Sequence, residues 1–123
     1  MKQHQDEGAV DYEVIYDAVE GRDDITVYSP ENPIAGFIFY PGGKVESDAY
    51  DPLMRECASR GIFCVLLEVH DNLAILDSKA ADGVIEAFPE VYRWFIGGHS
   101  LGGVVAASYA YDHSNQFDGL VLM

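Results

Sequence analysis

Positive charge is scarce in this chain: seven Lys and Arg stand against 21 Asp and Glu in 123 residues, a formal net charge of −14. Binding a phosphate backbone needs clustered cations, and the seven here are scattered singly, so nucleic acid is excluded as a partner. Cysteine is also scarce. Cys57 and Cys64 make no disulfide framework and fall in no Cys-x-x-Cys or His/Cys metal spacing. Each stands among apolar neighbours as an unpaired buried thiol would, which implies a reducing, cytoplasmic setting. No run approaches the roughly 18 apolar residues of a membrane span. The opening residues, Met1 to Gly8, lack the apolar core of a secretory leader. No Gly-x-Gly-x-x-Gly follows a strand, and Gly43-Lys44 lacks the spacing of a phosphate loop before it. No organic cofactor and no metal are indicated, and the chain reads as soluble, without membrane contact.

What is present is an ordinary globular composition, 49% apolar and 12% aromatic, at a length typical of one domain. The acids are dense early (Asp6, Glu7, Asp11, Glu13, Asp17, Glu20, Asp23, Asp24, Glu31), whereas past Trp94 only Asp112 and Asp118 remain. This gradient reads as a solvated outer edge followed by a buried centre; the spacing of the early acids matches no known cation loop.

Tyr12 to Ala18 alternates as a half-exposed strand does, Gly21 to Asp24 is a turn, and Ile25 to Tyr28 is a second strand broken by Ser29-Pro30-Glu31-Asn32-Pro33. The two form an antiparallel pair at a sheet edge. Ile34 to Tyr40 is a continuous apolar run, as a strand buried on both faces requires, and Ile62 to Val69 is another apolar run, interrupted only at Glu68. Between them, Leu53, Met54, Cys57 and Ala58 recur at helical spacing over Asp51 to Arg60. A further helix is expected over Leu73 to Phe88, stopped by Pro89. Tyr92 to Ile96 is the next strand, Leu101 to His113 a helix with Tyr109 and Tyr111 as core candidates, and Phe117 to Met123 begins one more strand. The alternation predicts an α/β fold, a mostly parallel doubly wound sheet with an N-terminal antiparallel hairpin.

One glycine-rich turn carries chemistry. Gly97-Gly98-His99-Ser100-Leu101-Gly102-Gly103 contains Gly-x-Ser-x-Gly as Gly98, Ser100 and Gly102. The bare pattern is weak; its place between a buried strand and an apolar helix strengthens it. Turning directly from strand to helix strains the serine backbone and leaves no room for side chains at the two glycines. The hydroxyl then stands above the C-terminal end of the strand, where open α/β sheets bind ligands. Free N–H groups of the helix N-terminus face any oxyanion there. Leu101 N–H is the expected first oxyanion donor. The second is expected from Pro41-Gly42-Gly43-Lys44-Val45, with Gly43 N–H favoured and Gly42 or Lys44 beside it.

These motifs resemble the α/β-hydrolases. Phe39 to Val45 (Phe-Tyr-Pro-Gly-Gly-Lys-Val) and Gly97 to Gly103 are similar to bacterial members with the dienelactone-hydrolase outline. Asn72-Leu73-Ala74 and a helix at Ala80-Ala81-Asp82 are similar too. The resemblance runs from Ile34 onward and implies hydrolysis of a small carboxylic ester, thioester or lactone through an acyl-enzyme on Ser100. Gly42, Lys44 and His70 are the candidate substrate-binding residues, Lys44 reading equally as a solvated surface lysine. In this family the triad acid and histidine follow later strands. Residues 1–123 are therefore expected to be one domain, an N-terminal portion lacking the last strands, the acid and the base.

The four histidines offer little replacement. His99 should point away from Ser100 and pack beside the strand, His113 ends the motif helix, and His4 lies in the N-terminal tail. In the strand order that the resemblance implies, His70 ends a strand two neighbours from the nucleophile strand, about 10 Å away, which favours pocket lining with Asp71. Asp118 should lie at the wrong end of the sheet. Two other classes of function stay open: a non-catalytic binding relative that keeps the pocket, and an interaction module completed by another chain. The last strand is expected to expose an apolar edge open to pairing, so dimerisation or marginal stability should appear in sedimentation and melting. A monomer with a high, cooperative melting temperature would contradict this.

Overall fold

The computed structural model describes residues 9–42, 47–68 and 79–123. Strands β1 (Tyr12–Ile15), β2 (Ile25–Pro30), β3 (Ala35–Tyr40), β4 (Ile62–Leu67), β5 (Trp94–Gly98) and β6 (Gly119–Leu122) form one sheet in the order β1-β2-β4-β3-β5-β6. β4, β3, β5 and β6 run parallel, with Phe37 opposite both Cys64 and Phe95. β2 lies antiparallel on β4, and β1 antiparallel on β2, with Tyr12 opposite Pro30. The expected α/β class, with its N-terminal hairpin, is what the chain adopts.

Helices cover both faces because β3 is apolar at every position and buried throughout. Successive side chains of a strand turn to opposite faces. Phe37 and Phe39 join Met54 and Ala58 of helix α1 (Asp51–Ser59) on one side. Ile38 and Tyr40 join Val84 of helix α2 (Val84–Ala87) and Val105 and Ala106 of helix α3 (Leu101–Asp112) on the other. The ends of the sheet differ. β6 presents Leu120, Val121 and Leu122, each at least 39% exposed. No helix of the described residues is long and apolar enough to cross a membrane.

Several boundaries depart from the periodicity. β2 continues through Ser29 and Pro30, because a proline at a strand end lacks only a donor that the ladder does not need there. Ile34 is 68% exposed and precedes β3. The helix expected over Leu73 to Phe88 is confined, within the described residues, to Val84–Ala87. Lys79 to Gly83 form turns, and Gly83 at φ +80° starts the helix afresh from a left-handed conformation. Ala80-Ala81-Asp82 are accordingly not helical. Tyr111 lies outside the core at 85% exposure. Tyr109 does pack on the core, with its hydroxyl donating to Asp82 Oδ1 at 2.7 Å.

Tyr28 ties the hairpin to α1. Its buried ring carries a hydroxyl that donates to Asp51 Oδ1 at 2.7 Å, while Arg55 Nε donates to Asp51 Oδ2 at 2.7 Å. Burial, then the Asp51 hydrogen bond and charge, push the Tyr28 pKa well above its ordinary value of 10.0. Below pH 10 both folded and unfolded chains hold this proton; above it the unfolded chain loses it first, so stability falls as pH rises. We expect Tyr28→Phe to remove about one proton from the alkaline slope of unfolding free energy, measured by urea denaturation between pH 9 and 11. An unchanged slope would refute it.

Candidate active site

β5 ends at Gly98 and α3 begins at Leu101, so His99 and Ser100 alone turn the chain. Ser100 takes φ 57° and ψ −124° and is exposed. Such a conformation costs a non-glycine residue on the order of 1–3 kcal/mol and holds only where the surroundings over-determine it. They do so here. Ser100 N–H donates to Met123 O at 3.2 Å, and Ser100 O accepts from Gly103 N–H at 2.9 Å. His99 N–H donates to Tyr40 O at 3.3 Å, and His99 O accepts from Gly102 N–H at 2.9 Å.

The two elbow glycines are sterically required, for different reasons. A Cβ on Gly98 would overlap the Gly102 backbone. One on Gly102 would overlap the carbonyl oxygens of Tyr40 and Pro41. The first contact keeps the turn tight, and the second lets α3 lie directly on the end of β3. The serine thus stands at the N-terminus of a 12-residue helix, where unpaired N–H groups and the helix dipole favour negative charge. Among the described residues Leu101 N–H has no backbone acceptor.

Gly42 is buried, and its N–H donates to the Tyr50 hydroxyl at 3.1 Å. A Cβ there would overlap His99 O. The same hydroxyl meets His99 Nδ1 at 3.0 Å. The phenol oxygen thus meets both Gly42 N–H and the His99 ring. His99 therefore turns from Ser100 toward Tyr50, as expected of a supporting residue. Tyr50, whose ring packs on Phe39 with centroids 5.0 Å apart, is the site residue that sequence reasoning missed. Only its place just before the proline-started α1 could have drawn attention to it.

Gly43, Lys44 and His70, with Asp71 and His4, lie outside the described residues. His113 caps α3, stacked on Tyr109 with its Nδ1 at 2.9 Å from Tyr109 O. Asp118 accepts from Trp94 N–H at 3.3 Å, at the start of β5 and so at the sheet end opposite Ser100. Among the described residues no histidine or carboxylate hydrogen-bonds the Ser100 hydroxyl, and no cluster of three His, Cys, Asp or Glu could hold a metal ion.

This strand–serine–helix elbow accompanies a match of residues 36–123 to a family described as the alpha/beta hydrolase family. The chain belongs to that family. No curated protein matches the sequence. Among solved structures, a hydrolase of the alpha/beta superfamily from Oenococcus oeni PSU-1 is similar at 19% identity and a TM-score of 0.61, over 82% of this chain and 41% of that one. A highly thermostable carboxyl esterase from Bacillus coagulans, in complex with glycerol, is similar at 19% identity and a TM-score of 0.64, over 93% of this chain and 44% of its own. This hydrolase-family chain thus spans about two fifths of the length of each, and at such identities the likeness speaks for the fold.

Two substitutions test the elbow's packing. Tyr50→Phe should cost about 1–2 kcal/mol in urea denaturation, the usual penalty for orphaning a buried donor. Gly102→Ala should cost more, about 3 kcal/mol, because the carbonyls it meets are backbone at the end of β3 and just after it, which cannot swing aside as a side chain can. A neutral Gly102→Ala would contradict the close approach.

Proposed function

We propose that Ser100 is the nucleophile of a hydrolase acting on small carboxylic esters, thioesters or lactones. The observation that carries this reading is the strained, exposed Ser100 at a helix N-terminus, beside a Leu101 N–H with no backbone acceptor among the described residues. In the reaction, Ser100 Oγ attacks the acyl carbon and gives its proton to a general base. The tetrahedral oxyanion takes hydrogen bonds from Leu101 N–H and from Gly43 N–H. Its collapse expels the alcohol or thiol, and water then releases the acid from the serine. Each oxyanion donor contributes about 3 kcal/mol to the transition state. Gly42 supports the loop through Tyr50, whereas Lys44 and His70 would face the acyl or leaving group. The histidine base and its carboxylate must come from residues beyond those described.

A second reading has its own support in the absence of a described histidine on Ser100: a binding relative that holds carbonyl ligands without turning them over. Treatment with a fluorophosphonate probe, read by intact mass beside Ser100→Ala, tests whether a base reaches the serine. A single adduct that Ser100→Ala abolishes is the outcome expected of an activated nucleophile and would exclude the binding reading. A folded protein that takes no adduct would have an unactivated serine, that of a hydrolase portion without its base or of a binding relative.

A further inference from the structure

One oxygen atom joins the two loops that meet at the end of the sheet. The Tyr50 hydroxyl accepts from Gly42 N–H at 3.1 Å and meets His99 Nδ1 at 3.0 Å. Gly42 belongs to the loop after β3, and His99 to the turn between β5 and α3. The two also touch directly, since a Cβ on Gly42 would overlap His99 O. That carbonyl accepts from Gly102 N–H at 2.9 Å, and the next residue is Ser100 at φ 57°. A displacement of Gly42 is therefore passed through His99 to the serine. The phenol itself has little freedom. Its ring centroid lies 5.0 Å from that of Phe39 and 5.8 Å from that of His99. Helix α1, which begins at the following residue, packs through Met54 and Ala58 on Phe37 and Phe39.

We propose that Tyr50 is a positioning residue for the attack by Ser100, its hydroxyl fixing the loop after β3 against the nucleophile turn. This inference rests on the reading of Ser100 as the nucleophile. Tyr50 acts through Gly42 and His99 and meets no reacting atom itself. Gly42 is buried, so removal of the phenol oxygen leaves its N–H without an acceptor. A buried donor left unpaired drives the backbone toward water or another carbonyl. Any such shift changes the spacing between the β3 loop and the start of α3, where Leu101 N–H stands. Stabilisation of a developing oxyanion depends on donors held in advance at the place where the charge appears. The loss therefore falls on the transition state, with ground-state binding of the acyl compound little changed.

The experiment compares the unsubstituted chain with Tyr50→Phe and Tyr109→Phe. The second variant also loses one tyrosine hydrogen bond, to Asp82, but some two turns along α3 from Ser100. Each protein is treated with a fluorophosphonate over a range of concentrations and followed by intact mass. In the labelling step Ser100 Oγ bonds to phosphorus, fluoride leaves, and the hydroxyl proton passes to the base. Tyr50→Phe should lower the rate at saturating probe about ten-fold or more, with the half-saturating concentration unchanged within about two-fold. Tyr109→Phe should label at the unsubstituted rate. An unchanged rate in Tyr50→Phe, or an equal loss in both variants, would overturn the proposal while leaving Ser100 as the nucleophile. Nuclear magnetic resonance supplies a readout that needs neither activity nor a variant that folds. In the unsubstituted chain an Overhauser contact should join the Gly42 amide proton to the Tyr50 ring, and that amide should exchange with solvent about ten-fold or more slowly than an open loop amide. In Tyr50→Phe the Gly42 amide and His99 ring resonances should both move, whereas Tyr109→Phe should leave them in place. If the unsubstituted chain takes no adduct, its serine is unactivated, and these resonances alone decide the coupling. A Gly42 amide with no contact to the ring, or one indifferent to loss of the hydroxyl, overturns it.

Discussion

The close approach of α3 to the end of β3 is the constraint on which the rest of the structure depends. Gly102 lies so near the Tyr40 and Pro41 carbonyls that no side chain fits between them. Strand β5 is paired with β3 through Tyr40 and Gly98, so the chain must leave β5 and enter α3 within two residues. That demand sets the left-handed Ser100, excludes a side chain at Gly98 and fixes where the Ser100 hydroxyl stands. The same proximity brings Gly42 against His99 O. The loop after β3 and the elbow after β5 are thereby one packed unit. Tyr50 closes it from the α1 side by satisfying the Gly42 N–H and His99 Nδ1 with one hydroxyl.

Electrostatics plays a local part in a chain so rich in acids. Three arginines pair with nearby carboxylates: Arg22 with Asp24, Arg55 with Asp51 and Arg60 with Glu56. The pair on the exposed end of α1, Arg60 with Glu56, adds little, since solvent screens it. Arg22 does more, because its remaining donors reach the Ala80 and Asp82 carbonyls at 2.8 and 3.1 Å. It ties the turn between β1 and β2 to the turns before α2. Tyr40 secures the same stretch from inside, accepting from Ala81 N–H at 3.2 Å. A non-helical segment therefore holds its place through backbone groups that an arginine and a buried tyrosine satisfy.

The legible parts of the fold were those in which burial is periodic. β3 and β4 stood out as unbroken apolar runs because both faces are covered, and α1 because Leu53, Met54, Cys57 and Ala58 share one stripe. The elbow was legible because a two-residue turn leaves few alternatives to glycine. Less legible was the stretch before Pro89, where apolar spacing suited a long helix while Gly83 supplied a left-handed break that composition does not announce. Tyr111 looked like Tyr109, yet two positions on a helix differ by about 200°, and only one faces the core. Tyr50 was hidden because its place depends on the register of α1 across the sheet, a tertiary quantity that local pattern does not encode.

That register also decides what α1 does for the elbow. Cys64 lies opposite Phe37, and Phe37 opposite Phe95. The face that α1 covers is filled at this level by Phe37 and Phe39 against Met54 and Ala58, whereas α3 packs on the other face. Since α1 begins immediately after Tyr50, the helix anchored there is the one that presents the phenol to His99 and Gly42. Apolar packing on one side of the sheet thus holds in place a hydroxyl that ties together two loops at its end. A helix on the face opposite α3 still governs how firmly the turn beside Ser100 is held.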